Sequence, residues 1–482
     1  MRGASDEAVA PGGEVFWQRL DARWLPFADA ASTSLPLGRL LRLSLFQVSV
    51  GMAMVLLSGT LNRVLIVELG VATTIVAIML SLPLVLAPAR ALIGHRSDNY
   101  VSFLGWRRVP FVFLGTMGQF GGLAIMPFAL LILSGKGVGA EWIGYVGAFL
   151  AFVLVGAGMH TTQTAGLALA SDLATEQTRH RVVAFLYVML LLGMVISAFA
   201  FSWLLEDFGQ IRLIQVIQGA AVVSLVLNAV ALWKQEPRDP HGTRAERDRP
   251  PFAAAWRALI SGDRTGRLLL ALGLGTAAFG MQDVLLEPYG GEILGLGVSD
   301  TTMLTAILAI GTLVAFFVAA RRLGAGDDPT LLAGFGSVVG AFAFAAVIFA
   351  GPLASASLFR VGTLGIGFGG GLFAIGMLTA AMDLAREREA GIALGAWGAV
   401  QATALGLAIA VSGALRDFVT ELSTSGALGE ALTHPQVGYS VVYHLEIALL
   451  FATLIALGPL VRRERKDRNA RGSRLGLAEL PG

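Results

Sequence analysis

The sequence predicts an all-α integral membrane protein of twelve transmembrane helices, arranged as two six-helix bundles. Three observations lead there. Apolar stretches of about 20 residues, enough to cross ~30 Å of hydrocarbon at helical rise, recur from residue 43 to residue 461. Only 14% of the 482 residues are charged and 55% are hydrophobic, against roughly a quarter charged in soluble domains. A polar, proline-bearing segment, KQEPRDPHGTRAERDRPPFAAAW, divides the spans six and six.

The expected spans are 43–67, 71–93, 109–134, 142–170, 182–205 and 211–233, then 267–289, 299–320, 330–350, 355–382, 390–414 and 440–461. Continuous apolar runs of this length exclude a β-barrel, whose strands alternate over about ten residues. The domains follow: a 1–42 arm, a 43–233 bundle, a 234–266 linker, a 267–463 bundle and a basic 464–482 tail. Within the arm, Phe16, Trp17, Leu20 and Trp24 share one helical side with Arg19 and Arg23 opposite, the pattern of a helix lying on the membrane surface.

Arginine and lysine gather in the arm, the linker, the tail and alternate loops, whereas the opposite loops hold only Lys136, Arg212 and Arg416. That asymmetry predicts cytoplasmic termini. The net charge of +2 therefore reflects the inside bias, and no basic, aromatic-interleaved patch points to nucleic acid. With no cysteine, disulfides, cysteine–zinc sites, iron–sulfur clusters and thiol catalysis are excluded. GIGFGGG, Gly365 to Gly371, matches a dinucleotide-loop pattern but lies inside a span, where small residues serve close helix packing. No Walker A sequence is present.

Internal repeats support the two halves. ASDLATE (Ala170–Glu176) closes the fourth span as AMDLARE (Ala381–Glu387) closes the tenth, making Asp172 and Asp383 equivalent. NRVL ends the first span as QDVL ends the seventh, so Asn62 matches Gln282 and Arg63 matches Asp283. This is the organisation of major facilitator transporters, with a central site between halves. After the second span, Gly94, Asp98, Gly105, Arg107 and Arg108 resemble the facilitator signature Gly-x-x-x-Asp-x-x-Gly-x-Arg-Arg, stretched by about four residues. Its aspartate suits helix-terminal amides or an arginine, latching neighbouring helices on the cytoplasmic side. Asp172 and Asp383 belong to the same expected latch.

The core from residue 35 to about 460 resembles the PucC/LhaA family, the bacteriochlorophyll-delivery branch of the major facilitator superfamily, with the LhaA side preferred. The likeness is carried by LPLGRLLRLSLFQVSVGMA, GTLNRVLIVELG, RSDNYVSFLGWRRVPFVFLG, QFGGLAIMPFALL and FGMQDVLLEPYGGEILG. It implies a light-harvesting assembly factor in the inner (intracytoplasmic) membrane of a phototrophic bacterium, binding or delivering bacteriochlorophyll during core antenna assembly. Implied partners are membrane lipid, antenna polypeptides, the reaction centre, and bacteriochlorophyll or its synthesis enzymes.

Two polar clusters stand out. Asp283 and Glu287, four residues apart ahead of Pro288, Gly290 and Gly291, predict an interbundle gate or clamp with Arg63 or Arg360 as partner and Asn62 and Gln282 beside it. A static ion pair and proton coupling are both open. The proline and glycines are expected to end or bend the helix. His160, Gln163 and Thr164 in the fourth span form a candidate pigment or substrate site. A neutral imidazole can ligate a chlorin magnesium, although a histidine filling a helix junction fits the same pattern. No catalytic motif is found, so an enzyme is not expected, and a proton-coupled transporter of a small solute or pigment precursor, or a peripheral-antenna paralogue, stays as alternative.

Overall fold

The computed structural model describes residues 35–85, 106–175, 178–236, 263–387 and 390–471, leaving aside the side chains of 180, 263–264, 383–396 and 462–471. Twelve helices follow in order. The first half holds α1 (Leu37–Glu68), α2 (Thr73–Val85), α3 (Val109–Leu133), α4 (Glu141–Leu173), α5 (Arg179–Leu204) and α6 (Gln210–Leu232). The second holds α7 (Thr265–Glu292), α8 (Val298–Gly324), α9 (Pro329–Ala350), α10 (Ala356–Glu387), α11 (Ala390–Thr424) and α12 (Gln436–Arg471). Eleven are long and apolar enough to cross a membrane, and α2 is described over 13 residues. No strand occurs among the described residues.

Packing reproduces the repeat. Within the halves the most extensive contacts are α3 with α4 and its counterpart α9 with α10. Across the seam they are α2 with α11 and its counterpart α5 with α8. The apolar core runs through both halves, from Leu56 and Leu61 on α1 to Tyr289, Phe344 and Tyr443. Since the chain passes back and forth twelve times, Leu37 and Arg471 lie toward one face, called the near face. The α1 C-terminus and the α2 N-terminus lie at the other, the far face.

Local chemistry explains several elements. Asp328 caps α9, its carboxylate accepting from the amides of Thr330 at 2.8 Å and Leu331 at 3.4 Å, with Pro329 following in the first turn where no amide is needed. The Gly365–Gly371 stretch packs as expected of small residues: a Cβ on Gly367 would strike the Leu308 carbonyl of α8, and one on Gly369 the Gly336 carbonyl of α9. α1 widens to π-helical turns at Val55–Leu61 and Val64–Glu68, immediately where it meets the seam.

Three expectations are corrected. α1 begins at Leu37 rather than 43. α11 runs to Thr424 rather than 414, which moves Arg416 from a loop into a helix, where acidic neighbours described below balance its buried charge. In α7 the interruption precedes Pro288: the α-helix ends at Gly280, a 3-10 turn covers Met281–Val284, and the helix resumes over Leu286–Glu292. Pro288 thus sits in the first turn of a helix, not at the end of one. The surface helix expected in the arm, most of the linker, Gly94, Asp98, Gly105 and the tail beyond 471 lie outside the described residues.

Candidate functional site

Hydrogen bonds join the two halves in the far-face part of the seam. Thr60 meets Thr302 at 3.2 Å and Ser202 meets Ser299 at 2.9 Å. The Asn62 amide donates to the Asp283 carbonyl at 3.4 Å. The Asp417 carboxylate of α11 accepts from the Thr74 amide at 2.7 Å and hydroxyl at 2.8 Å, at the start of α2. Close backbone approach accompanies them, since a Cβ on Gly59 of α1 would overlap the Thr305 side chain of α8.

Arg63 belongs to this seam, but not as expected. Its guanidinium is buried, pairs with Glu68 one turn along α1, and donates to the Leu296 carbonyl at 3.1 Å, on the loop after α7. A Cβ on Gly291 would come within 3.0 Å of Arg63 Nε, so this glycine leaves room for the guanidinium. The cation still bridges the halves, through a backbone carbonyl rather than Asp283 or Glu287. Arg360 is also placed elsewhere: it pairs with Asp300 at 2.9 Å on a half-exposed surface between α10 and α8.

Around the interruption in α7, Gln282 and Glu287 are buried and Asp283 is half-buried. The Gln282 amide donates to the Asp283 carboxylate. Glu287 is 5% exposed and accepts from the Thr305 hydroxyl at 3.0 Å. A third carboxylate joins them: Glu446 of α12 is fully buried within electrostatic reach of Asp283, and neither of its oxygens has a hydrogen-bond partner among the described residues. The hydroxyl of fully buried Tyr443, one turn before Glu446, is likewise without one. Tyr443 packs edge-on to Tyr289 at 5.6 Å, which also meets Tyr439 at 5.3 Å.

Next to this lies a network built around Arg416, whose Nε is buried without a hydrogen-bond partner. Arg416 binds Glu292, the Asp417 carboxylate at 3.0 Å and the Tyr439 hydroxyl at 3.1 Å, and Tyr439 donates to Glu292 at 2.9 Å. Sequence reasoning assigned none of Glu68, Glu292, Glu446, Asp417 or Tyr439 to a site. Glu446 lies near the start of the span expected at 440–461, but α12 begins at Gln436, setting the carboxylate ~15 Å along the helix. The detectable signal was an acidic residue two or more turns inside an apolar run.

At the near face, Arg108 and Asp172 of the expected latch do meet, at 3.0 Å, joining α3 to α4. The amides of Arg107, Arg108 and Val109 at the start of α3 are taken by Glu236, at 2.7 to 3.1 Å. The Asp383 side chain lies outside the described residues. The other cluster is a helix wall: His160 is buried on α4, its carbonyl accepts from the Thr164 hydroxyl at 2.8 Å, and Gln163 is half-buried. Gly156, one turn before His160, packs against Pro83 of α2.

A match to the PUCC protein family covers residues 60–465, from the end of α1 into α12. The chain belongs to the PucC family. An uncharacterized protein from the puhA-bchM intergenic region of Rhodobacter capsulatus is 55% identical over 95% of this chain and 97% of its own. Protein PucC of Cereibacter sphaeroides is 51% identical over 92% and 96%. A more distant relative, 28% identical over 76% and 85%, is named as the bacteriochlorophyll synthase 44.5 kDa chain of Rhodobacter capsulatus. Among solved structures, a bacterial homologue of the lysosomal transporter Spinster, inward-facing and unoccupied, aligns with a TM-score of 0.62 at 15% identity, over 89% of this chain and 97% of its own. That likeness identifies the major facilitator fold.

Proposed function

We propose that this PucC-family membrane protein is a light-harvesting complex assembly factor of a phototrophic bacterium, binding or delivering bacteriochlorophyll as the core antenna forms in the inner (intracytoplasmic) membrane. The observation that carries the reading is family membership across most of the two-bundle core, residues 60–465. The geometry supports it in a second way: large apolar side chains such as Phe128, Trp203, Phe342 and Ile455 face outward. Such faces suit antenna helices and pigment tails. No enzymatic step is required of the chain.

Pigment contact at His160, Gln163 and Thr164 is part of the proposal, with the imidazole as ligand to the pigment magnesium. Because His160 is buried, that contact requires a helix movement that exposes it. The test is affinity isolation from pigment-producing cells, followed by an absorption spectrum and identification of bound proteins. A bacteriochlorin band with co-purifying antenna or reaction-centre polypeptides is expected, and His160→Leu should lose or shift the band. Folded, colourless protein that refuses added pigment refutes delivery.

A second reading has its own observation. Buried carboxylates beside an interrupted helix on a major facilitator fold also suit a proton-coupled secondary transporter of a small solute or pigment precursor. Proton-dependent flux in vesicles, without antenna partners, would select it.

A further inference from the structure

The acidic cluster on α7 and α12 is short of donors. Asp283, Glu287 and Glu446 contribute only acceptors when ionised. Unpartnered, buried acceptors surround them: both oxygens of Glu446, Oδ1 of Asn62 and Oε1 of Gln282. The donors present are few: the Thr305 hydroxyl serves Glu287, the Gln282 amide serves Asp283, and the Tyr443 hydroxyl is without a partner.

Nor do cations on the surrounding helices balance the set. The charge of Arg63 on α1 is met by Glu68 and the Leu296 carbonyl, and that of Arg416 on α11 by Glu292, Asp417 and Tyr439, although each keeps a buried Nε without a partner. On α8, Asp300 is paired with Arg360. His444 on α12 is exposed and bonded to Ser440. The described part of α2 carries no charged residue. Buried carboxylates without counter-charge are among the costliest groups in a membrane protein.

We propose that Asp283, Glu287 and Glu446 form a proton-binding site, occupied while the far-face seam is closed, whose proton loss loosens the seam. A proton on Glu446 supplies the missing donor and removes the unbalanced charge together. The link to the seam is direct. Asp283 offers its carbonyl to Asn62 of the other half, and Glu287 holds Thr305, the residue against which Gly59 of the other half packs. Ionisation draws water and repels the three groups from one another, acting on these contacts first. The inference holds whether the cargo is pigment or solute.

The chain has no cysteine, so an introduced pair carries the only thiols. Spin labels at V138C, on the α3–α4 loop, and L428C, on the α11–α12 loop, report the far-face distance between halves in full-length protein in nanodiscs. The expected result is a distance that widens as pH rises in the otherwise unaltered chain and stays at its low-pH value in E446Q, which mimics the protonated acid. Infrared spectra should show a solvent-shielded protonated-carboxyl band that E446Q diminishes. A pH-independent distance, or E446Q tracking the parent, overturns the proposal. Should E446Q not fold, absence of that band from the parent protein overturns it alone. Replacing sodium by choline at fixed pH should change nothing; sodium dependence would reassign the site to a metal cation.

Discussion

Asp417 of α11 caps the amino end of α2 from the opposite half of the molecule, its carboxylate accepting from both the amide and the hydroxyl of Thr74. A helix start leaves amides without partners and carries partial positive charge, so a carboxylate there serves both needs. Asp417→Ala should cost about 1 kcal/mol of stability, the usual worth of such a cap, and should loosen the far-face seam. Asp417→Asn should recover part of it. Thermal unfolding in detergent, read with the inter-half label distance, checks both, and a seam distance indifferent to Asp417→Ala would deny the cap its bridging role.

Exchanging the charges of Arg63 and Asp283 should not rescue either single reversal, because the two do not pair. Exchange with Glu68 should rescue in part, as Glu68 is the carboxylate that Arg63 meets. The Glu68 side chain is 38% exposed, so this ion pair adds only about 1 kcal/mol or less. The greater loss on removing Arg63 comes from the Leu296 carbonyl, about 1.5–3 kcal/mol for a hydrogen bond from a charged donor. Double-mutant cycles on unfolding midpoints measure each coupling.

The span pattern, the division into halves and the repeat were legible because hydrocarbon thickness imposes a length on every apolar run. The seam was legible only by symmetry, which drew attention to Asn62, Arg63, Gln282 and Asp283 but could not assign partners. Arg63 turned to a residue five positions along its own chain, and a π-helical turn between them is invisible to a 3.6-residue pattern. Glu446 escaped because its meaning depends on depth, and depth depends on where α12 starts. Arg416 escaped for the same reason, since a helix ten residues longer than its apolar run changes a loop cation into a buried one.

Gly367 tests the packing reading of GIGFGGG. A methyl there falls on the Leu308 carbonyl of the neighbouring helix, and backbone cannot rotate aside as a side chain can. Gly367→Ala should therefore cost about 1–3 kcal/mol or more through overpacking. Gly219→Ala on α6 meets open space and should be neutral or stabilising by up to about 1 kcal/mol, from helix propensity. Equal effects of the two substitutions on the unfolding midpoint would remove close packing as the role of the glycine run.

At the near face, two carboxylates divide work that the facilitator signature assigns to one. Glu236 takes the first amides of α3, while Asp172 takes the Arg108 guanidinium at 3.0 Å. Asp172 is 40% exposed at its side chain, so its pair with Arg108 is screened and should be worth about 1 kcal/mol or less, weakening further in high salt. Glu236 binds backbone rather than a mobile side chain, and its loss leaves amides at a helix start without acceptors. Glu236→Ala should thus destabilise by about 1–2 kcal/mol, more than Asp172→Asn, and its effect should change less with salt. Unfolding midpoints of both variants, measured at low and high ionic strength, separate them; an Asp172→Asn effect that is larger and salt-insensitive would show that the ion pair, not the cap, holds α3 in place.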